Sequence, residues 1–397
     1  MNIALVSDIF YPSVGGTERV VLALCNEYVK MGHNVALFVR DDYEKRPYDD
    51  SVYPFKVVRA KMHKLPFYPP VPLTGCDKAL KEALYDFKPD VMHIQTQFEM
   101  GKWGVKMAKK LNIPSVVTCH TNLWCLFENN APFSKSNPIH KAILFINNMM
   151  PKYVAKHADI LTAVSESCKR DEIQRSLKLD REVFIVRNGF DYTEIKSSSV
   201  DENSISKDSP VFNRINLLYV GRVASHKNID FSFKVCSVLK KRGIPFDFIL
   251  AGLDKRDRYK TKAEALGLSD NVHCIGIQKF DVLAKLYSSS DVFLFPSLYD
   301  TDGLVVKEAN KFGTIALVVK DTGASEQIRD GINGYALDED ENAFADKIEE
   351  LYRLKTEHFD QYLELRKGCK NKPIPSWTDI ATQYLNLYQN KYSNATS

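Results

Sequence analysis

The sequence predicts an α/β protein made of two doubly wound domains in series. Three observations predict this: short apolar runs alternate with amphipathic helical stretches, a polar break interrupts them near mid-chain, and the same alternation restarts beyond it. At 397 residues the chain also exceeds what one hydrophobic core usually supports, which favours two domains of about 200 residues.

The first strand is Ile3-Ala4-Leu5-Val6, ending at Ser7-Asp8, and the second runs from Asn34 to Val39. Between them Val20, Val21, Leu24, Tyr28 and Met31 recur at helical spacing until Gly32, giving a β-α-β unit with a parallel pair. The segment from Lys61 to Pro70 mixes basic and aromatic residues and reads as a loop. Continuous apolar runs follow at Val91 to Ile94, Ser115 to Thr118, Ile160 to Val164 and Phe184 to Val186. Such runs fit parallel strands covered on both faces. From Tyr192 to Pro210 the chain turns to Ser, Asp and Asn without apolar periodicity, and reads as the interdomain linker. Strands are then expected at Ile215 to Val220, Phe246 to Leu250, Val272 to Ile275, Val292 to Phe295 and Ile315 to Val319, with a helix around Phe231 to Lys241. The expected domains are 1–200 and 201–372. A last helix lies in 373–397, where Trp377, Ile380, Tyr384, Leu387 and Tyr388 share helical spacing. In sheets of this kind ligands bind at the carboxyl ends of the strands.

A composition of 44% hydrophobic and 26% charged residues excludes a disordered or fibrous chain. No stretch approaches the roughly 18 to 20 apolar residues that span a bilayer, and Asp8 and Pro12 stand where a signal peptide needs an apolar core. A cytoplasmic protein is expected, not integral to the membrane. The eight cysteines are scattered, without a Cys-x-x-Cys pair or a His at ligand spacing, so reduced thiols are expected and no metal site. Basic charge collects in the first half: residues 1–200 carry 27 Lys and Arg against 22 Asp and Glu. Within 102–157 eight lysines face a single acid, Glu128. That surface attracts anions, either lipid headgroups or phosphorylated substrates, unless it is only a solvated face. Nucleic acid is not an expected partner, because the second half is slightly acidic and no recognition motif appears.

Three strand-end segments carry candidate chemistry. Gly15-Gly16 leads from the first strand into a helix, whose N-terminal N–H groups form an anion site; a plain tight turn explains the pair equally. Gly221-Arg222 and Lys227 follow the strand ending at Val220, where two cations can converge on a diphosphate. The densest segment runs from Phe295 to Ala309. It has Asp300 and Asp302 in a loop, Gly303 opening a helix whose Leu304 and Val305 N–H groups face an anion, and Glu308 one turn on, placed to accept from a sugar hydroxyl. Acids at a helix start are otherwise caps.

An acid and a Glu separated by seven residues, preceded by Pro296-Ser297 and enclosing Gly303-Leu304-Val305, resemble the signature of retaining glycosyltransferase family 4. The remaining motifs agree in order: Gly15-Gly16, His120 after a strand, Asn188-Gly189-Phe190-Asp191, Gly221-Arg222 with Lys227, and Asp330 to Gly334. The resemblance implies the GT-B fold, two Rossmann-like domains facing a central cleft, with the last helix crossing back to the first domain. It implies that Arg222 and Lys227 hold the donor diphosphate, Glu308 the ribose, and Asp300 with the backbone of Gly303, Leu304 and Val305 the donor sugar. It sets His120 beside the transferred sugar as a catalytic residue with Asp300. The implied reaction moves a hexose from a nucleotide-sugar donor, a UDP-sugar by family frequency, with retention and without cofactor or metal. Gln95 to Glu99 and His120 to Trp124 are similar to members that glycosylate lipids. A lipid or lipid-linked acceptor at an anionic membrane surface is therefore expected. Where the family has Glu and a Gly-Phe-Gly turn, this chain has Asp300-Thr301-Asp302-Gly303, and Asp302 is expected to face the sugar hydroxyls. The alternatives are a nucleotide-sugar 2-epimerase of the same architecture and a binding subunit without turnover.

Overall fold

A computed structural model describes residues 1–12, 15–41, 49–65, 68–72, 77–121, 149–191, 212–223, 227–252 and 258–395. The chain divides into two compact units, Met1–Gly189 with Pro375–Ser397, and Phe190–Ile374. The linker read between Tyr192 and Pro210 lies outside the described residues.

In the first unit the described strands β1 (Asn2–Ser7), β2 (Asn34–Arg40), β3 (Lys56–Ala60), β6 (Val91–Ile94), β7 (Ser115–Cys119), β8 (Ile160–Ala163) and β9 (Phe184–Ile185) form one sheet. Its order is β3-β2-β1-β6-β7-β8-β9, with every pair parallel. Ile3 to Val6 lie in the middle strand and are fully buried, which is what an unbroken apolar run requires. The segment expected as a loop instead pairs with itself. β4 (Met62–Leu65) and β5 (Tyr68–Pro72) make an antiparallel hairpin, a pairing that the prolines obscure in the sequence.

Helices α1 (Gly16–Lys30), α2 (Lys78–Phe87) and α3 (Glu99–Leu111) belong to this unit. Asp77 caps α2, its carboxylate accepting from Leu80 N at 3.0 Å. The buried carboxylate of Asp8, at the end of β1, accepts from the backbone of Met100 at 2.9 Å and Gly101 at 3.4 Å in the first turn of α3. Burial pushes its pKa above the ordinary value, against the lowering effect of these bonds. α3 lies close on the sheet: a Cβ on Gly104 would sit 2.8 Å from Ile94 Cγ1 in β6.

The second unit repeats the plan. β10 (Ile215–Val220), β11 (Phe246–Ala251), β12 (Val272–Gly276), β13 (Val292–Phe295), β14 (Ile315–Val319) and β15 (Gly334–Leu337) form a parallel sheet in the order β12-β11-β10-β13-β14-β15. Its helices are α4 (Ile229–Lys241), α5 (Arg258–Ala265), α6 (Phe280–Ser289), α7 (Leu304–Lys311), α8 (Glu341–Glu357) and α9 (Phe359–Asn371). Strand order reverses between β10 and β13, so the carboxyl ends Val220 and Phe295 flank the switch point where such sheets bind ligands. At the opposite end Asp291 accepts from Lys355 Nζ at 2.9 Å, Tyr362 Oη at 2.5 Å and Asn216 N at 2.7 Å, tying α8 and α9 to the sheet.

The last helix, α10 (Trp377–Ala395), packs on α1 of the first unit, where Tyr28 and Tyr388 hydroxyls meet at 2.8 Å. Gly189 admits it: a Cβ there would lie 2.8 Å from both the Trp377 ring and its backbone nitrogen. The six described cysteines form no disulfide. Among the described residues no helix is long and apolar enough to cross a membrane.

Candidate active site

The second unit gathers charge at its switch point. β10 hands on to Gly221, whose φ of +147° favours glycine, and a Cβ on Gly252 after β11 would lie 1.9 Å from the Gly221 carbonyl oxygen. Two strand-end loops thus meet backbone to backbone. Arg222 is exposed, its carbonyl accepting from Tyr219 Oη at 3.0 Å. Farther along the same connection, Lys227 Nζ makes an ion pair with Asp300 Oδ2 and lies 5.5 Å from the centre of the Phe295 ring. The intervening Ala224 to His226 fall outside the described residues.

Asp300 belongs to the loop after β13. Its Oδ1 accepts from Gly303 N at 2.6 Å and Asp302 N at 3.3 Å, so the side chain organises the turn that opens α7. Burial alone would raise its pKa. The Lys227 ammonium and these N–H groups outweigh burial and hold it below the usual carboxylate range, as an anion. Gly303 is the left-handed N-cap of α7 at φ 67°, and a Cβ would lie 3.0 Å from Ala324 Cβ. The N–H groups of Leu304 and Val305 follow, in the turn whose donors find no acceptor inside a helix. Glu308 is buried in α7 and accepts from Tyr287 Oη at 2.9 Å.

Asp302 has a different setting from the one its position suggests. Both oxygens of its carboxylate accept from Lys307 Nζ, at 2.9 and 2.7 Å, and both side chains are 5% exposed. The carboxylate is turned into its own domain. Gln327 supports the same turn, donating to the carbonyl oxygens of Asp302 and Gly303.

In the first unit Gly15 is the N-cap of α1 and Gly16 is exposed at its first position, with Glu18 buried in the first turn. His120 is half-buried just past β7. Its Nε2 lies 2.6 Å from Gln95 Oε1, at the end of β6, and Gln95 Nε2 lies 2.8 Å from His93 Nε2. His93 Nδ1 meets Tyr388 Oη at 2.6 Å. Burial lowers His93 to about 3 and His120 to about 4, so both are neutral imidazoles near pH 7.

The structure therefore brings Lys227, Asp300, Asp302 and Gly303 into one cluster with the start of α7, and sets His120 and the glycine pair at strand ends of the other unit. Motif reading did not single out Lys307, Gln327 or His93. Lys307 had a signal: an acid and a base five residues apart within an otherwise apolar helix start. Among the described residues no group of three or more His, Cys, Asp and Glu side chains is placed to hold a metal.

Comparison with known proteins places the chain by family and by fold. Residues 14–194 match the model of Glycosyltransferase Family 4, and residues 201–371 that of Glycosyl transferases group 1. The chain is 27% identical over 328 residues to the alpha-monoglucosyldiacylglycerol synthase of Streptococcus pneumoniae, covering 79% of this chain and 70% of that protein. It is 21% identical to the GDP-mannose-dependent alpha-mannosyltransferase of Corynebacterium glutamicum, covering 98% of this chain and 88% of that one. Among solved structures, a sucrose-phosphate synthase from Thermosynechococcus elongatus superposes with a TM-score of 0.77 at 20% identity, over 99% of both chains. At that identity the likeness speaks to the fold.

Proposed function

The chain belongs to glycosyltransferase family 4, with the two Rossmann-like domains of the GT-B fold, and from that premise we propose that it transfers a hexose from a UDP-sugar to a lipid or lipid-linked acceptor, with retention and without a metal. The observation that carries the donor side is the Lys227–Asp300 pair at the β10/β13 switch point, beside the Gly303 turn. In this reading Arg222 and Lys227 bind the diphosphate, Lys227 exchanging Asp300 for phosphate oxygens. Asp300 then accepts from a hydroxyl of the sugar, while the N–H groups at Gly303, Leu304 and Val305 face its oxygens. Glu308 receives the ribose. Asp302, held by Lys307, fixes the turn that presents these donors. Gly15 and Gly16 let the first domain approach the donor closely.

On one face of the sugar the anomeric carbon's bond to the phosphate oxygen breaks and its bond to the acceptor oxygen forms. The acceptor's proton passes to the departing phosphate oxygen. Cationic side chains and helix N–H groups stabilise the charge that accumulates on the diphosphate. The kinship with a monoglucosyldiacylglycerol synthase, whose named product carries a single glucose on diacylglycerol, favours a diacylglycerol-type lipid acceptor, and the basic stretch 102–157 favours a protein that works at an anionic membrane surface.

The test is product analysis. The chain is incubated in EDTA with UDP-glucose and vesicles containing diacylglycerol, and the lipid phase is examined by proton NMR. A glycolipid with a new α-anomeric signal is expected. A β-anomeric product would overturn retention, and an epimerised nucleotide sugar would overturn transfer.

A further inference from the structure

Two helices open on the β10/β13 switch point, and both start from a left-handed residue. For α7 it is Gly303, at φ 67° and ψ 52°, and for α4 it is Asn228, at φ 55° and ψ 37°. Glycine adopts that backbone freely, whereas a residue with a Cβ is disfavoured there. Asparagine is an ordinary helix N-cap when its backbone is extended and its side-chain oxygen accepts from N–H groups of the first turn. Asn228 does neither. Its side chain makes no capping bond, and its Nδ2 donates instead to Glu339 Oε1 at 2.7 Å. A carboxylate only accepts, so the amide has a single orientation in this bond.

Both ends of the bond are anchored. Beyond Asn228, Ile229 and Phe231 are buried in α4, and the Phe231 ring meets Phe344 of α8 edge-on at 5.1 Å. Glu339 directly precedes Asp340, whose carboxylate caps α8 by accepting from Asn342 N at 2.9 Å and Ala343 N at 2.8 Å. The residue before Asn228 is Lys227, whose ammonium is paired with Asp300. The backbone turn at Asn228 thus sets how Lys227 leaves the start of α4.

We propose that Asn228 and Glu339 are positioning residues that aim Lys227 at Asp300 and, when the donor is bound, at its diphosphate. The left-handed backbone of Asn228 gives the direction, and the Glu339 carboxylate holds it. The proposal rests on the reading that gives Lys227 to the diphosphate. It assigns a part in donor binding, acting through Lys227, to the connection after the edge strand β15.

The experiment follows the Asp300 carboxyl by 13C NMR titration in the full chain without ligand, with UDP affinity measured alongside by calorimetry. Lys227→Met sets the limit, with the ammonium gone. Asn228→Ala disfavours the left-handed turn and removes the bond. It should raise the Asp300 pKa part of the way to that limit and weaken UDP binding about three- to tenfold, a fraction of one charge-assisted hydrogen bond. Asn228→Gly keeps the turn and loses only the bond, so it should match Glu339→Ala, each with a smaller shift than Asn228→Ala. Joining Asn228→Gly with Glu339→Ala should add nothing beyond either one. Glu339→Gln keeps an acceptor oxygen and should stay near wild type. An Asp300 pKa unmoved by Asn228→Gly and by Glu339→Ala would overturn the proposal, and so would an Asn228→Ala shift no larger than that of Asn228→Gly. Because the titration needs no donor, a shifted Asp300 with unchanged UDP affinity would support the aim at Asp300 and count against the diphosphate reading alone.

Discussion

At the scale of single residues the turn from Asp300 to Gly303 combines two ion pairs of different character. Lys227–Asp300 is 19% and 15% exposed and sits where a ligand can compete for it, whereas Asp302–Lys307 is shut at 5% on both sides. Removing one partner of a closed pair strands the other charge, so Asp302→Ala should cost about 3 to 5 kcal/mol in urea unfolding. The apolar double substitution Asp302→Phe with Lys307→Leu should be neutral or stabilising by about 1 to 4 kcal/mol. Lys227→Met should release the Asp300 carboxyl from its strongest counter-charge and raise its pKa by carboxyl 13C NMR. The same variant should lower kcat/KM by about 10² to 10³, the cost of losing one group that stabilises transition-state charge.

At the scale of elements the first sheet and α10 form one packed body, with two testable consequences. Gly189→Ala drives a methyl into Trp377 and should destabilise the unit by about 1 to 3 kcal/mol. His93 and His120 both titrate below the ordinary 6.5 when folded. The unfolded chain therefore binds protons first as the pH falls, and stability is lost from 6.5 down towards 3. For buried His93 the slope is about 1.4 kcal/mol per pH unit, and His93→Gln should remove it from an acid unfolding series. Much of this level was legible beforehand. Apolar runs marked the central strands of both sheets, because a parallel strand covered on both faces has no polar positions to hide it. β3, broken by Lys56 and Arg59, and β15, opening on Gly334, are edge strands whose apolar run is interrupted, whereas the edge strands β9 and β12 keep enough of theirs to be read. The hairpin of β4 and β5 was read as a loop for its prolines. The site was legible as motifs but not as partnerships: Lys307 against Asp302 and Tyr388 against His93 join residues whose pairing only the packed chain reveals.

At the scale of the whole molecule the charge is divided, with the excess of Lys and Arg confined to residues 1–200. If that excess meets anionic lipid, binding to vesicles rich in acidic headgroups should be strong at low salt. It should weaken several-fold between about 20 and 200 mM salt as the Debye length shrinks, and a co-sedimentation series reads this directly. Neutral vesicles should not bind. The same asymmetry separates the tasks proposed for the two units, a basic acceptor side and a near-neutral nucleotide-sugar side.

The most direct measurement of the central claim is nucleotide release from a panel of UDP- and GDP-sugars in EDTA, with and without a lipid acceptor. Release from one UDP-sugar only when lipid is present is the predicted result, and it should vanish in Lys227→Met. Release that ignores the lipid, or that needs a divalent ion restored, would contradict the account.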